Sequence, residues 1–154
     1  MIKNIEIHIT SEKPDIVWRF EDRQEVLKKI KVLDKETENL IWNKLKGDRI
    51  IPDYILNECK FETFESIEFR DNYELVTNRL KELLKTSSIN VKVVLTWFSS
   101  GQSFLTDLKT FIDNWDDFFY PSSDDLVIIH ENWDWVIYIA HFECFQLGQK
   151  INTK

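Results

Sequence analysis

Between residues 89 and 98 the chain alternates with a period of two. Ile89, Val91, Val93, Leu95 and Trp97 fall on one side, and Asn90, Lys92, Val94, Thr96 and Phe98 on the other. Successive side chains of a strand point to opposite faces, so this run predicts a sheet member and commits the chain to building a sheet around it. Residues 1 to 10 alternate in the same way, ending near Thr10. Two apolar runs near the C-terminus, Leu126 to Ile129 and Trp135 to Phe142, flank Glu131-Asn132-Trp133-Asp134 and read as an antiparallel hairpin.

A sheet with apolar faces needs cover, and helical spacing supplies it. Val26, Leu27, Ile30 and Leu33 predict a helix over 21 to 33, after the short apolar run Ile16 to Phe20. Asp34 is placed to cap a following helix whose inward stripe is Leu40, Ile41 and Leu45. Gly47 stands where a left-handed C-terminal cap is wanted. Asp53 to Leu56 suits a short helix, and Phe61 to Phe69 fits either a strand or irregular structure. Asp71 or Asn72 can cap a helix through Lys85 with Tyr73, Val76, Leu80, Leu83 and Leu84 inward. After a turn at Ser99-Ser100-Gly101, Ser103 is expected to cap a helix from Phe104 to Phe119, with Asp107, Lys109, Asp113, Asn114, Asp116 and Asp117 toward water.

At 154 residues, with three Gly, three Pro and no repeat or low-complexity linker, the chain reads as one α+β domain over 1 to 154: a mainly antiparallel sheet packed by several amphipathic helices. Two cysteines, Cys59 and Cys144, are too few for a disulfide framework and read as reduced thiols. Without an apolar leader-like run or a stretch near the roughly 20 residues of a membrane span, the expectation is a cytoplasmic protein that does not engage membranes.

The charge is distributed unevenly. From Thr110 to Gln149 there is no Lys or Arg and there are eight acids: Asp113, Asp116, Asp117, Asp124, Asp125, Glu131, Asp134 and Glu143. The formal net charge of −7 therefore resides in this stretch, since the remainder is close to neutral. Charge of one sign attracts cationic partners and repels nucleic acid phosphates, which argues against direct nucleic acid binding. Tyr120, Trp133 and Trp135 lie among these acids, and such aromatics serve as interface anchors. The expected contact region is Asp113, Asp116, Asp117, Tyr120, Asp124, Asp125 and Trp133. Acids on an amphipathic helix also form ordinary solvated faces, and Trp133 can simply pack over the hairpin.

The residues best able to carry chemistry lie in the same stretch. If His130 faces Trp135, the hairpin register puts Asp124 opposite His141, where a carboxylate can orient an imidazole for general base work. Glu143, two residues on along the same strand face, adds a possible metal ligand. A structural ion pair is the commoner outcome for such a set. Cys144 and His141 fall on opposite faces, which disfavours a thiol nucleophile. No zinc, phosphate-loop, nucleophile-elbow or calcium-loop motif is present, so no cofactor and no resident metal are expected.

The segment Tyr120-Pro121-Ser122-Ser123-Asp124-Asp125-Leu126, the hairpin with Trp133 and Trp135, and His141-Phe142-Glu143-Cys144-Phe145-Gln146-Leu147-Gly148 resemble the C-terminal part of small bacterial proteins. Some of these are similar to immunity proteins of polymorphic or contact-dependent toxin systems. The resemblance covers about the last 35 residues. It implies a non-enzymatic cytoplasmic protein that binds a cognate toxin domain and occludes its active site, and it transfers no binding residues.

Overall fold

A computed structural model describes residues 4–12, 15–48, 50, 61–88, 90–121 and 123–150. Six helices and seven strands are formed among them: α1 (Asp15–Arg19), α2 (Gln24–Leu27), β1 (Lys31–Val32), α3 (Lys35–Gly47), β2 (Thr63–Glu68), α4 (Tyr73–Thr86), β3 (Lys92–Trp97), β4 (Ser103–Asp107), α5 (Leu108–Asp113), α6 (Trp115–Phe118), β5 (Leu126–His130), β6 (Trp135–Ala140) and β7 (Cys144–Gln149). The strands make one antiparallel sheet in the order β1-β4-β3-β5-β6-β7-β2. No helix among the described residues is long and apolar enough to cross a membrane.

The alternation in β3 now has a physical account. Val93, Leu95 and Trp97 enter a core shared with α1, α2, α4, α5 and α6, while Val94 enters a second core under α3, with Phe98 packed against it. Both faces of the sheet are covered, so its central strands are apolar on both sides. That is why β5 and β6 read as unbroken apolar runs and are buried throughout. The hairpin register is the expected one, with Leu126 opposite Ile139 and Ile129 opposite Val136. A third strand, β7, extends it into a meander.

Several elements differ from the sequence-based expectations. The helical spacing from Phe104 to Phe119 does not produce one helix. Gly101, at φ 71°, turns the chain so that residues 103–107 pair with β3 as β4, with Phe104 against Leu95 and Leu105 against Val94. Ladder bonds and burial on two faces outweigh helical spacing there. Ser103 is therefore the start of a strand, its Oγ 2.9 Å from Thr96 Oγ1. The cap of α5 is Asp107, which accepts bonds from Thr110 N at 2.7 Å and Thr110 Oγ1 at 2.8 Å. Burial raises the Asp107 carboxyl, but those bonds and Lys92 outweigh it and hold it below the usual aspartate value.

The span 21 to 33 likewise divides into α2 and β1, because Leu27 and Ile30 are needed in one core and Leu33 in the other. Residues 4–10 make isolated bridging contacts, Ile9 with Leu33 beside β1 among them, rather than a full strand. In α3, Asp34 caps as expected, accepting from Thr37 N, and Ile41 and Leu45 are buried, whereas Leu40 is exposed. Gly47 is the last helical residue, and the chain leaves through Asp48 at φ −90° without a left-handed cap. Residues 63–68 are a strand. The helix expected at 53–56 and Cys59 lie outside the described residues.

Gly148 marks a close approach: a Cβ there would sit 2.5 Å from the Phe61 ring. Gly148→Ala is expected to lower stability by about 1–3 kcal/mol in urea denaturation, through overpacking. Adding Phe61→Ala should recover part of that loss, and full additivity of the two costs would place the strain elsewhere.

Candidate functional site

One end of the sheet gathers most of the polar chemistry. β3 ends there at Trp97, β6 at Ala140 and β2 at Glu68, while β5 and β7 begin there at Leu126 and Cys144. The connections 98–102, 119–125, 141–143 and 69–72 therefore meet at this end.

Arg19 fastens this end. Its Nη1 donates to Asp124 Oδ2 at 2.7 Å and to Phe118 O at 3.3 Å, and its Nη2 donates to Asp124 Oδ1 at 3.3 Å. The guanidinium lies between two rings, 4.1 Å from the centroid of Trp97 and 4.0 Å from that of Tyr120. Asp124 Oδ2 also accepts from Tyr120 N at 2.8 Å. Both side chains are nearly buried, at 10% and 6% exposed, so Asp124 is a structural anchor and is not available as a contact residue.

Asp125 faces the opposite way. Its Oδ1 accepts from Tyr138 Oη at 2.8 Å, His141 N at 3.0 Å and His141 Nδ1 at 3.0 Å. The extrapolated register sets residue 124 against residue 141, but strand pairing stops at Leu126 and Ile139. The imidazole consequently meets Asp125, and Asp124 turns to Arg19. A carboxylate only accepts, so Nδ1 carries a proton, and in the neutral form of the ring Nε2 holds the lone pair, on a side chain 41% exposed. Chemically this is an oriented base. Cys144 is buried with Sγ 3.3 Å from Ser66 Oγ.

Glu143 is not on a strand face beside His141, contrary to expectation. It belongs to the tight turn between β6 and β7, at φ 60°. Its carbonyl accepts from Phe69 N at 2.9 Å, which ties this turn to the one carrying Arg70, itself at φ 41°. Burial pushes the Tyr73 hydroxyl up, and Glu143, Asp71 and Asp116 push it in the same direction. Three acids from three separate segments thus act electrostatically on one phenol. Phe142, 55% exposed, sits beside Glu143, and Trp18, 61% exposed, sits beside Arg19 on α1.

Apart from Asp116, the remaining expected contact residues do not converge here as free charges. Asp113 pairs with Lys109, which raises the lysine above its usual value. Asp117 pairs with Arg23, whose Nη1 also donates to Asn114 Oδ1 at 2.7 Å. Trp133, expected as an exposed anchor, is 2% exposed and belongs to the core under α3. Tyr120 is half-buried against Arg19. From the sequence, Asp71 reads as a helix cap and Tyr73, Trp18 and Phe142 as members of apolar stripes or runs, none of them as part of a surface. Counting charge along one continuous stretch cannot register an acid at position 71, and both exposed aromatic rings stand inside apolar runs that read as core. Among the described residues, no group of three or more His, Cys, Asp or Glu is placed to hold a metal ion.

No family model matches this chain, and no curated protein matches it.

A non-glycine residue at positive φ in an exposed turn costs roughly 1 kcal/mol or more, and glycine relieves it. Glu143→Gly is therefore expected to raise stability by about 0.5–1 kcal/mol in chemical denaturation. A loss of stability would show that the Glu143 side chain supports the fold directly.

Proposed function

We propose that the chain is a protein-binding module of the bacterial immunity type, which neutralises a toxin domain by covering a basic active-site surface. The observation that carries this reading is that Asp71, Asp116 and Glu143, from three separate segments, all raise the Tyr73 hydroxyl, with the exposed Phe142 next to Glu143 in the chain. Unpaired acids around exposed aromatic area match a cationic partner. The charges speed encounter and the rings supply buried area. The resemblance of the C-terminal segment to immunity proteins supports the same reading. The contact surface is accordingly Asp71, Asp116, Phe142 and Glu143 with Tyr120 and Trp18 at its margin, in place of a set drawn from residues 113 to 133 alone.

A second reading rests on the Asp125–His141 pair, whose free Nε2 can act as a general base. The two readings separate by mutation. His141→Gln removes the base and leaves the acidic surface intact, so it should abolish an enzymatic activity but leave toxin protection unchanged.

The direct test uses a partner recovered with the native chain from its own cells. Asp71→Asn, Asp116→Asn and Glu143→Gln together are expected to slow association by about tenfold or more at low salt and to flatten its salt dependence. Phe142→Ala is expected to speed dissociation. Association kinetics unchanged in the triple variant would remove this surface from the account.

A further inference from the structure

The opposite end of the sheet holds a polar cleft of about 420 Å³, lined among others by His130, Asn132, Asp134, Ser87 and Lys150. His130 closes β5 and is 8% exposed, and its ring packs 5.2 Å from the Trp135 ring. Its Nδ1 accepts a hydrogen bond from Asn132 N at 3.1 Å. An imidazole nitrogen that accepts a backbone N–H carries no proton, so the native ring is neutral with its hydrogen on Nε2. Asp134 Oδ2 stands 3.5 Å from the same Nδ1, beyond ordinary hydrogen-bond reach while the ring is neutral.

We propose that His130 is a proton-operated switch of the turn between β5 and β6, in which protonation converts Nδ1 from acceptor of the Asn132 amide to donor toward the Asp134 carboxylate. One proton is taken from solvent. One hydrogen bond breaks, from Asn132 N to Nδ1, and one charge-assisted bond forms, from Nδ1 to Asp134. Both partners belong to residues 131–134, so the exchange cannot occur without reshaping that turn. The turn is coupled outward as well, because Asp134 O accepts from Lys150 N at 2.8 Å and Glu131 Oε1 accepts from Lys92 N at 3.1 Å. The exchange therefore acts on one wall of the cleft and on the ends of β3 and β7.

The charged groups acting on His130 are Asp134 and Glu131 on its own turn, and Lys150 after β7 lines the same cleft. Burial holds the imidazole below its ordinary value, with Asp134 and Glu131 opposing that shift in part. A depressed histidine contributes stability that is complete above the unfolded value of about 6.5 and is lost as pH falls through the folded value. The switch therefore opens toward acid.

The test is nitrogen-detected NMR of the native chain between pH 7.5 and 5, alongside two variants. At pH 7.5 His130 should show the Nε2–H tautomer. On acidification the Asn132 amide shift should move with the same midpoint as the His130 ring, below that of free imidazole. Asp134→Asn should keep the neutral tautomer and lower the midpoint further. His130→Gln, whose side-chain oxygen can still accept from Asn132, should lose less denaturation midpoint between pH 7.5 and 5 than the native chain. An Nδ1–H tautomer at pH 7.5, or an Asn132 amide that does not follow the ring, would overturn the proposal.

Discussion

The nearly buried ion pair between Arg19 and Asp124 is the constraint on which the arrangement of the site depends. α1 has only five residues and little helical stability of its own, so it is held by tertiary contacts: Ile16 buried in the core and Arg19 at its end. Arg19 joins α1 to Asp124, to the carbonyl of Phe118 at the end of α6, and to the rings of Trp97 and Tyr120. Trp97 Nε1 donates to that same carbonyl at 2.8 Å, so β3, α6 and the 119–125 connection meet at one point. Removing one partner of such a pair strands a desolvated charge, which is far more damaging than losing a surface salt bridge.

With Asp124 committed to Arg19, Asp125 is left to face the other side of the sheet, where Tyr138 and His141 bond to it. The division of two adjacent carboxylates between two faces follows from the period of two in an extended chain. It also shows why net charge misleads in this protein. Of the eight acids from Thr110 to Gln149, Asp113, Asp117 and Asp124 are neutralised by Lys109, Arg23 and Arg19, which all lie outside that stretch. Asp71, Asp116 and Glu143, which act together on Tyr73, come instead from three separate segments, one of them outside that stretch. Glu143 holds a backbone conformation, φ 60°, that glycine would occupy with less strain.

The extent to which the amino-acid sequence announces this structure depends on how local each signal is. The β5–β6 hairpin, the alternation in β3, the Asp34 cap and the body of α4 are legible because their patterns are set by neighbouring residues. β4 is not, since Ser103 to Asp107 becomes a strand only when Gly101 folds it against β3. Helical spacing through Phe104, Leu105 and Leu108 is an accidental match. The carboxylate that meets His141 was one residue away from the one the register indicates, because pairing ends before that position and Arg19, 105 residues earlier in the chain, claims Asp124. Long-range partners of this kind leave no periodic trace.

The most direct test of this account is a double-mutant cycle on Arg19 and Asp124, read by urea denaturation. Arg19→Met and Asp124→Asn should each cost roughly 3–5 kcal/mol. The double variant should cost less than their sum, with a coupling energy on the order of 2–3 kcal/mol. Additivity within about 0.5 kcal/mol would contradict the claim that this pair holds the site end of the sheet together.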